Sequence, residues 1–517
     1  MNHQPLAAAG RAGLYLTVFM TGAAVMLIEL LGTRMIAPFY GTSLYVWSSL
    51  ISVTMIALAL GYFVGGLWAD RARRTGLALI IALAGITTLA IPWLTRPILL
   101  ATDPLGLRMG AFVSALTLFS PSLTLLGMVG PFAIKLSTER LDGIGSAAGS
   151  IYAVSTVGSV IGTLALGFFL FPLVGSREIL IALAILLLVL AVIVALFEHY
   201  RLKLAFALPP CVGLLILGLA LLPKIVAAKH GTHDTDRFRV IAERESLYGW
   251  VRVIDHPAND LRILASDASA IGAASISEGK NRLDYQNIVS LLPKMVSNMT
   301  RALVVGLGAG HMANVLHDDY GIATDTVEID PVVAQAATDY FGFKATGASI
   351  IGDARYEIRH LTGPYDLIIH DCFTGGSEPS HLLTVETLRH LKSLMSDKGV
   401  LALNFVAFYD GGRNPSLASV SRTLEQVFAH QRLFVADPGD NFNDYIFLAT
   451  DYPLELNAQR LQPEQVAWLT ARNLALDNSA GVILTDNLNP IEHLQTAKAE
   501  HYRNVILKLF GPELLVP

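Results

Sequence analysis

The residues best suited to chemistry lie between 306 and 371. Gly306, Gly308 and Gly310 stand at alternate positions at the end of the apolar run ALVVGLGAG. A glycine turn after a buried strand lets the backbone pass close to a ligand and opens a helix N-terminus towards it. Glu328 follows eighteen residues after Gly310, in the next strand-like run, TDTVEID. A carboxylate there can accept hydrogen bonds from both hydroxyls of a ribose. Asp353, in ASIIGDAR, is placed to take the amino group of an adenine, and Asp371 closes YDLIIHD. Three acids in register with a glycine turn point to a nucleoside cofactor. The bland alternative is that they are loop starts or helix caps. NAD(P) and S-adenosylmethionine both present a ribose to such an acid. The run GLGAGHM has Met312 or Ala313 where the dinucleotide fingerprint has its third glycine, which favours S-adenosylmethionine.

These residues need strands that all end at one edge. Five runs, 302–310, 324–330, 348–355, 365–371 and 399–406, alternate with helical segments. That alternation predicts a mostly parallel sheet covered on both faces, with ligands outside the carboxyl ends of its strands. Upstream, 239–254 and 261–265 read as short alternating strands of a small β subdomain, and a helix is expected at 281–298. After Gly439, DNFNDYIFLAT reads as a loop and a strand completing the sheet.

Composition divides the chain further. Of its 517 residues, 53% are hydrophobic and 15% charged, which excludes disorder and a nucleic-acid binder held by bulk positive charge. Residues 1–222 hold only 12 of the 37 Lys+Arg and 7 of the 42 Asp+Glu, net +5; the remainder is net −10. So few charges cannot clothe a water-soluble globule. Seven apolar runs, 14–31, 45–69, 77–94, 109–136, 147–171, 179–197 and 204–222, approach the roughly 20 residues a bilayer-crossing helix needs. Gly158 with Gly162, and Gly145 with Gly149, have the small-xxx-small spacing of close helix packing. Glu29 and Arg34 read as an interfacial ion pair or as the lining of a polar cavity.

The expected architecture is an α-helical polytopic membrane domain at 1–222 and a connector at 223–236. A soluble α/β part follows, with a small β subdomain and helix at 237–300 and a Rossmann-like S-adenosylmethionine-binding domain at 301–517. Topology brings a conflict. Arg71, Arg73 and Arg74, in a segment that resembles the Gly-x-x-x-Asp-Arg signature of major-facilitator transporters, favour the cytoplasmic side. Seven spans then place the soluble part outside the cell membrane, although its cofactor is cytosolic. A re-entrant last span, which contains Pro209 and Pro210, would restore a cytoplasmic domain.

At these motifs the sequence resembles spermidine-synthase-like aminopropyltransferases fused to a transporter-like membrane domain. The resemblance rests on IELLGTRMIAPFYGTSLYVWSSL, GYFVGGLWADR and GSIYAVSTVGSVIGTLALGFFL in the first half. In the second it rests on ESLYG, DYQ, VVGLGAG, VEID, GDAR, YDLIIHD and HLLTVETLRHLKSLMSDKGVLALN. It implies that Glu328 binds the ribose, that Asp353 with Ala354 flanks the adenine, and that Gln286 holds the methionine end. Tyr285 would line the amine channel, and Asp371 would orient and help deprotonate the attacking amine. The implied reaction moves an aminopropyl group to an amine and releases methylthioadenosine. A sulfonium leaves readily, so the site must mainly align two partners, and no metal is required. His370 and His381 have no zinc spacing.

Two departures bear on the acceptor. The family places an aspartate where Ala309 stands and a second one where Thr374 stands, three residues after Asp371. Their loss weakens the case for a diamine and leaves the cofactor untouched. Three further readings stay open: internal cleavage of S-adenosylmethionine by a lyase or cyclase, methyl transfer, and polyamine transport with a coupled cofactor-binding domain. The expected partners are a small-molecule amine, a lipid bilayer and a second copy of the chain, with no nucleic acid.

Overall fold

The computed structural model describes residues 8–41, 44–71, 76–137, 143–202, 207–227, 237–296, 298–373, 376–455, 460–511 and 514–516. They form two compact units, 1–233 with 512–517, and 234–511.

The first unit is helical: α1 (Ala8–Tyr40), α2 (Leu44–Arg71), α3 (Leu77–Thr102), α4 (Gly106–Ser137), α5 (Ile144–Ala165), α6 (Ser176–Leu202) and α7 (Leu208–Ala227). Among the described residues, five helical stretches are long and apolar enough to cross a membrane, and Leu208–Pro223 is a shorter apolar helix. One of the five, Leu77–Ser137, has 61 residues and contains both α3 and α4. A 3₁₀ turn at Asp103–Leu105 and a left-handed Gly106 (φ 75°) fold it back on itself. Thr102 meets Ser114 at 2.6 Å and Thr88 meets Ser122 at 3.0 Å, pairs that straddle the turn as in a hairpin.

Close glycine contacts join helices in this unit. A Cβ on Gly158 would lie 2.1 Å from the Phe19 carbonyl oxygen, and one on Gly22 would lie 2.4 Å from that of Ser155. The backbones of α1 and α5 therefore touch. Gly145 and Gly149 face open space, so the second spacing match packs nothing. Arg34, expected beside Glu29, places its guanidinium 4.8 Å from the Phe171 ring centre. Lys135 donates to the Ala69 carbonyl at the end of α2 and lies 4.0 Å from Asp70. Arg73 and Arg74 lie outside the described residues, as does residues 228–236 of the connector.

The second unit opens with an antiparallel sheet, β1 (Arg239–Glu245), β2 (Trp250–His256), β3 (Leu261–Ser266) and β4 (Ser269–Ala274), in that order. The single expected run 239–254 is a hairpin. Ser246 Oγ accepts the Tyr248 and Gly249 amides at its turn. β4, SAIGAA, has a single bulky apolar residue, Ile271, and falls outside the expected strands. The helix expected at 281–298 divides into α8 (Tyr285–Ser290) and α9 (Leu292–Met295), with Pro293 at the start of the second. Proline at the first turn of a helix is tolerated because it has no amide hydrogen to lose.

The large sheet contains β5 (Arg301–Val305), β6 (Ala323–Glu328), β7 (Ser349–Ile351), β8 (Tyr365–His370), β9 (Met395–Phe408), β10 (His430–Val435), β11 (Phe442–Thr450) and β12 (Asn473–Leu474). Their order is β12-β10-β11-β9-β8-β5-β6-β7. Strands β5 to β9 are parallel, and β11, β10 and β12 are antiparallel additions. Alternate residues feed the two cores. Leu303, Ile368, Leu401 and Leu403 go to one face, and Val304, Ile369, Val400 and Ala402 to the other. Helices α10 (His311–Tyr320), α11 (Pro331–Phe341), α12 (Ala354–Glu357), α13 (Val385–Ser393), α14 (Pro415–Glu425), α15 (Pro463–Thr470), α16 (Ile491–Leu494) and α17 (Thr496–Phe510) complete the unit. Strand order reverses between β5 and β8, which puts the ligand crevice of such a sheet at their carboxyl ends.

Candidate active site

The glycine turn is built as its composition requires. Gly306, Gly308 and Gly310 have φ of 93°, 53° and 77°. A Cβ on Gly306 would lie 2.1 Å from the Asp371 carbonyl oxygen, so both conformation and space demand glycine there. The Asp371 amide donates to the Val305 carbonyl at 2.8 Å, and the loops after β5 and β8 therefore meet at the switch point. Glu328, at the end of β6, fixes the same turn. Its Oε2 accepts the Leu307 amide at 3.0 Å and its Oε1 accepts the Asp330 amide at 3.0 Å. Burial raises its pKa above the ordinary carboxylate value, and these amides work against that rise. Asp330 caps α11 through the Val332 amide and accepts from Ser246 Oγ at 2.5 Å, tying the β1–β2 turn to the crevice. Asp353 stands at the end of β7, about half exposed, where it caps α12 by accepting the Tyr356 amide at 3.2 Å. Ala354 is the first residue of that helix.

Asp371 lies on the other side of the turn within a network of side chains. Tyr285 Oη donates to its Oδ2 at 2.6 Å, and Gln286 Nε2 donates to Tyr285 Oη at 3.1 Å. Asn404, from β9, donates to Asp371 Oδ1 at 2.9 Å and, through the same nitrogen, to Asp444 Oδ1 at 3.1 Å. Burial raises the pKa of Asp371, with the nearby Glu378 charge adding to the effect. Burial also raises Tyr285 well above the usual phenol value, reinforced by Asp371, so Tyr285 remains a donor. Asp444 is pushed up to about 6 by burial and by the charges of Asp371 and Glu378. A carboxylate held this way is a competent proton acceptor near neutral pH.

Tyr285, Gln286 and Asp371 are thus brought together, and Glu328 joins the glycines. Asn404, Asp444, Glu378 and Lys498 escaped the sequence reading. Glu378 and Lys498 form a buried ion pair, with Gln495 Nε2 donating to Glu378 at 2.9 Å and the Val406 amide at 2.8 Å. Lys498 lies 4.8 Å from the Phe405 ring centre and 5.2 Å from that of Phe373. A lone acid in β11 and one of two lysines in α17 carry no local signal. Only the folded sheet brings them to the ends of β8 and β9.

The two departures have different standing. Ala309 is buried against β4: a Cβ on Gly272 would come within 2.5 Å of the Ala309 Cβ. Strand β4 fills the room an aspartate would need. Thr374 lies outside the described residues. Cys372 donates to the Val305 carbonyl at 3.3 Å, and burial raises its thiol well above the usual value, which makes it a poor nucleophile. His370 is buried against the Leu382 carbonyl and pushed down to about 4 by desolvation. Among the described residues, no group of three or more His, Cys, Asp or Glu is arranged to hold a metal ion.

No family model matches the chain. It is 32% identical over 245 residues to the N-terminal histidine N-methyltransferase of Emericella nidulans, covering 42% of this chain and 42% of that protein. It is 35% identical over 177 residues to the polyamine aminopropyltransferase of Vibrio vulnificus, covering 32% of this chain and 58% of that protein. The chain thus spans about two fifths to three fifths of the length of these curated relatives. A probable spermidine synthase from Corynebacterium glutamicum superposes on 46% of the chain with a TM-score of 0.40 and 19% identity, over 90% of its own length. The α/β unit carries a Rossmann-like sheet, and both of these curated relatives are named as transferases.

Proposed function

We propose that the α/β unit is a transferase of the S-adenosylmethionine type that takes the decarboxylated sulfonium as donor, passes its aminopropyl group to a nitrogen acceptor held at Asp371 and releases methylthioadenosine. The observation that carries this reading is the Asp371 network: a buried carboxylate beside the glycine turn, fixed by Tyr285 and Asn404 and raised in pKa. The residues present fit the co-substrate. Gly306 and Gly308 leave the backbone bare at the turn, and Glu328 is held rigidly by two amides while retaining lone pairs for ribose hydroxyls. Gln286 Oε1 is buried and accepts no hydrogen bond among the described residues, which suits it to an ammonium at the methionine end. Asp353 and Ala354 would take the adenine side.

S-adenosylmethionine supplies an activated carbon beside a sulfonium. This chain's residues have the simpler task of alignment and proton removal. Asp371 Oδ1 and Oδ2 are each engaged by one neutral donor, which leaves a lone pair to accept the acceptor's proton as its nitrogen attacks. Tyr285 fixes the carboxylate orientation and Gln286 fixes Tyr285.

One observation favours a second reading, methyl transfer. A relative 32% identical over 245 residues is named for methylating a nitrogen. Product analysis separates the two. The full-length protein incubated with S-adenosylmethionine or its decarboxylated form and a panel of amines should release methylthioadenosine only when the decarboxylated form and an amine are both present. S-adenosylhomocysteine instead would establish methyl transfer. Methylthioadenosine without amine would mean internal cleavage and would sink both.

The helical unit, in the same reading, anchors the enzyme in a bilayer. Ile51, Met55, Phe63 and Leu67 of α2, and Val157, Val160, Ile161 and Leu164 of α5, are exposed, a surface suited to lipid and costly in water.

A further inference from the structure

The buried threonines of the helical unit divide into two sets. Thr17, Thr21, Thr88, Thr95 and Thr102 each donate to the carbonyl four residues earlier in the same helix, at 2.7–2.9 Å. Such back-bonding satisfies a hydroxyl that has no water beside it. Thr33 of α1 and Thr54 of α2 do not follow it. Their Oγ1 atoms are buried, and neither has a hydrogen-bond partner among the described residues. The two residues are only 7% and 3% exposed. A buried hydroxyl turned away from its own helix costs free energy unless a ligand engages it.

Both hydroxyls border one carboxylate. Glu29 precedes Thr33 by one helical turn, so their side chains share a face of α1, and the Thr33 side chain leans back over the turn that carries Glu29. Thr54, from α2, faces the Glu29 carboxylate. The helices are in close contact at this level: a Cβ on Gly32 would lie 2.9 Å from Leu50 Cδ2 of α2 and 3.2 Å from the Phe119 ring of α4. Glu29 is half-buried, inside an apolar stretch long enough to cross a membrane. Among the described residues, no Lys, Arg or His forms an ion pair with it. Arg34, the base nearest in sequence, has its guanidinium over the Phe171 ring. A carboxylate in such surroundings is destabilising until a cation meets it.

The groups present select the kind of cation. One negative charge calls for one positive charge. Glu29, Thr33 and Thr54 offer an oxygen acceptor each, and a primary ammonium has three N–H donors. A divalent metal ion takes about six oxygen ligands and would be left half coordinated. We propose that Glu29, Thr33 and Thr54 form a cation site between α1 and α2 that binds the primary ammonium group of a small alkylamine. The site gives the helical unit a ligand-binding role of its own, beyond that of an anchor. It does not depend on the transferase reading of the α/β unit.

Equilibrium dialysis of the full-length protein in detergent against radiolabelled methylammonium provides the test. The wild type should hold one more equivalent per chain than Glu29→Gln. Thr33→Val and Thr54→Val nearly keep the side-chain shape and remove the hydroxyl. Each should weaken binding of that equivalent about tenfold, as expected for a lost hydrogen bond to a charged group. Thr33→Ser and Thr54→Ser keep the hydroxyl and should bind within about threefold of the wild type, an outcome that a packing role for the threonine methyl would not give. Tetramethylammonium, which has the charge and no N–H, should not displace the bound probe. Equal stoichiometry in the wild type and Glu29→Gln, valine variants that bind like the wild type, or displacement by equimolar tetramethylammonium would overturn the proposal. The threonine variants carry the test if Glu29→Gln does not fold. Methylammonium held at Asp371 would survive Glu29→Gln. If product analysis finds no transfer to any amine, the transferase reading fails and the Glu29 result stands.

Discussion

At the scale of single residues, Asp371 is the group on which turnover should depend most. Asp371→Asn keeps the shape and the bond to Tyr285 but removes the proton acceptor. We expect a loss of roughly 10²–10⁴ in turnover, the range for general-base removal, with little change in S-adenosylmethionine affinity. Flux through a pure carrier would be indifferent to this substitution. The pH profile should report Asp444 as well. Asp371, Glu378, Lys498 and Tyr502 all contribute to the field around it. With a folded-state pKa of about 6 against an ordinary value of 3.8, Asp444 is neutral below about pH 6. Capture of a cationic acceptor should weaken as pH falls through that value. Stability should move the opposite way. Between the ordinary and the raised value the folded protein holds a proton that the unfolded chain has lost, so this group favours folding more as pH falls through that window. Acceptor KM and melting temperature, measured from pH 7 to pH 5, should therefore rise together. A flat KM would remove Asp444 from the acceptor site.

At the scale of elements, the close approach of β4 to the glycine turn decides what that turn can carry. Restoring the family's acid by Ala309→Asp would drive a carboxylate into Gly272 and the β4 backbone. Overpacking of this kind costs about 1–3 kcal/mol, and a buried charge adds to it. For a unit of this size each kcal/mol lowers the melting temperature by about 2–4 °C. The variant should melt lower and gain no activity with diamines. An unchanged melting temperature with better diamine turnover would show that β4 yields and that the alanine is a matter of specificity alone. The same logic explains the glycines: Gly306 abuts Asp371 and Gly308 abuts Ile271, so the turn is gripped from two sides.

At the scale of the whole molecule, an apolar helical unit and a charged α/β unit share one chain. The helical unit should remain in the membrane fraction after alkaline carbonate extraction, which strips proteins held by charge alone. Release into the supernatant would remove the bilayer reading. The turn at Asp103–Leu105 and the short last helix matter here, because the number of crossings sets the side on which the α/β unit emerges. Protease accessibility of segment 229–236 in right-side-out vesicles would decide between the positive-inside parity and the cytosolic cofactor.

The sequence alone carried whatever depends on local pattern. Apolar runs located the helices, alternation located the parallel strands, and glycines followed by acids located the crevice at the switch point of the sheet, because periodicity and backbone freedom are properties of neighbouring residues. It also led to Asp371, Tyr285 and Gln286 through a resemblance in short motifs. It misread 239–254 as unbroken, missed β4 because only Ile271 among its six residues is bulky and apolar, and gave Gly145 and Gly149 a packing role that the fold leaves unused. Tertiary structure alone assembled the side chains around Asp371. Asn404, Asp444, Glu378 and Lys498 lie on β9, β11, the loop after β8 and α17, separated by up to 120 residues. A side chain acquires a raised pKa, an ion pair or an unfilled hydrogen bond only from its neighbours in space, and those neighbours are set by the order of strands in the sheet.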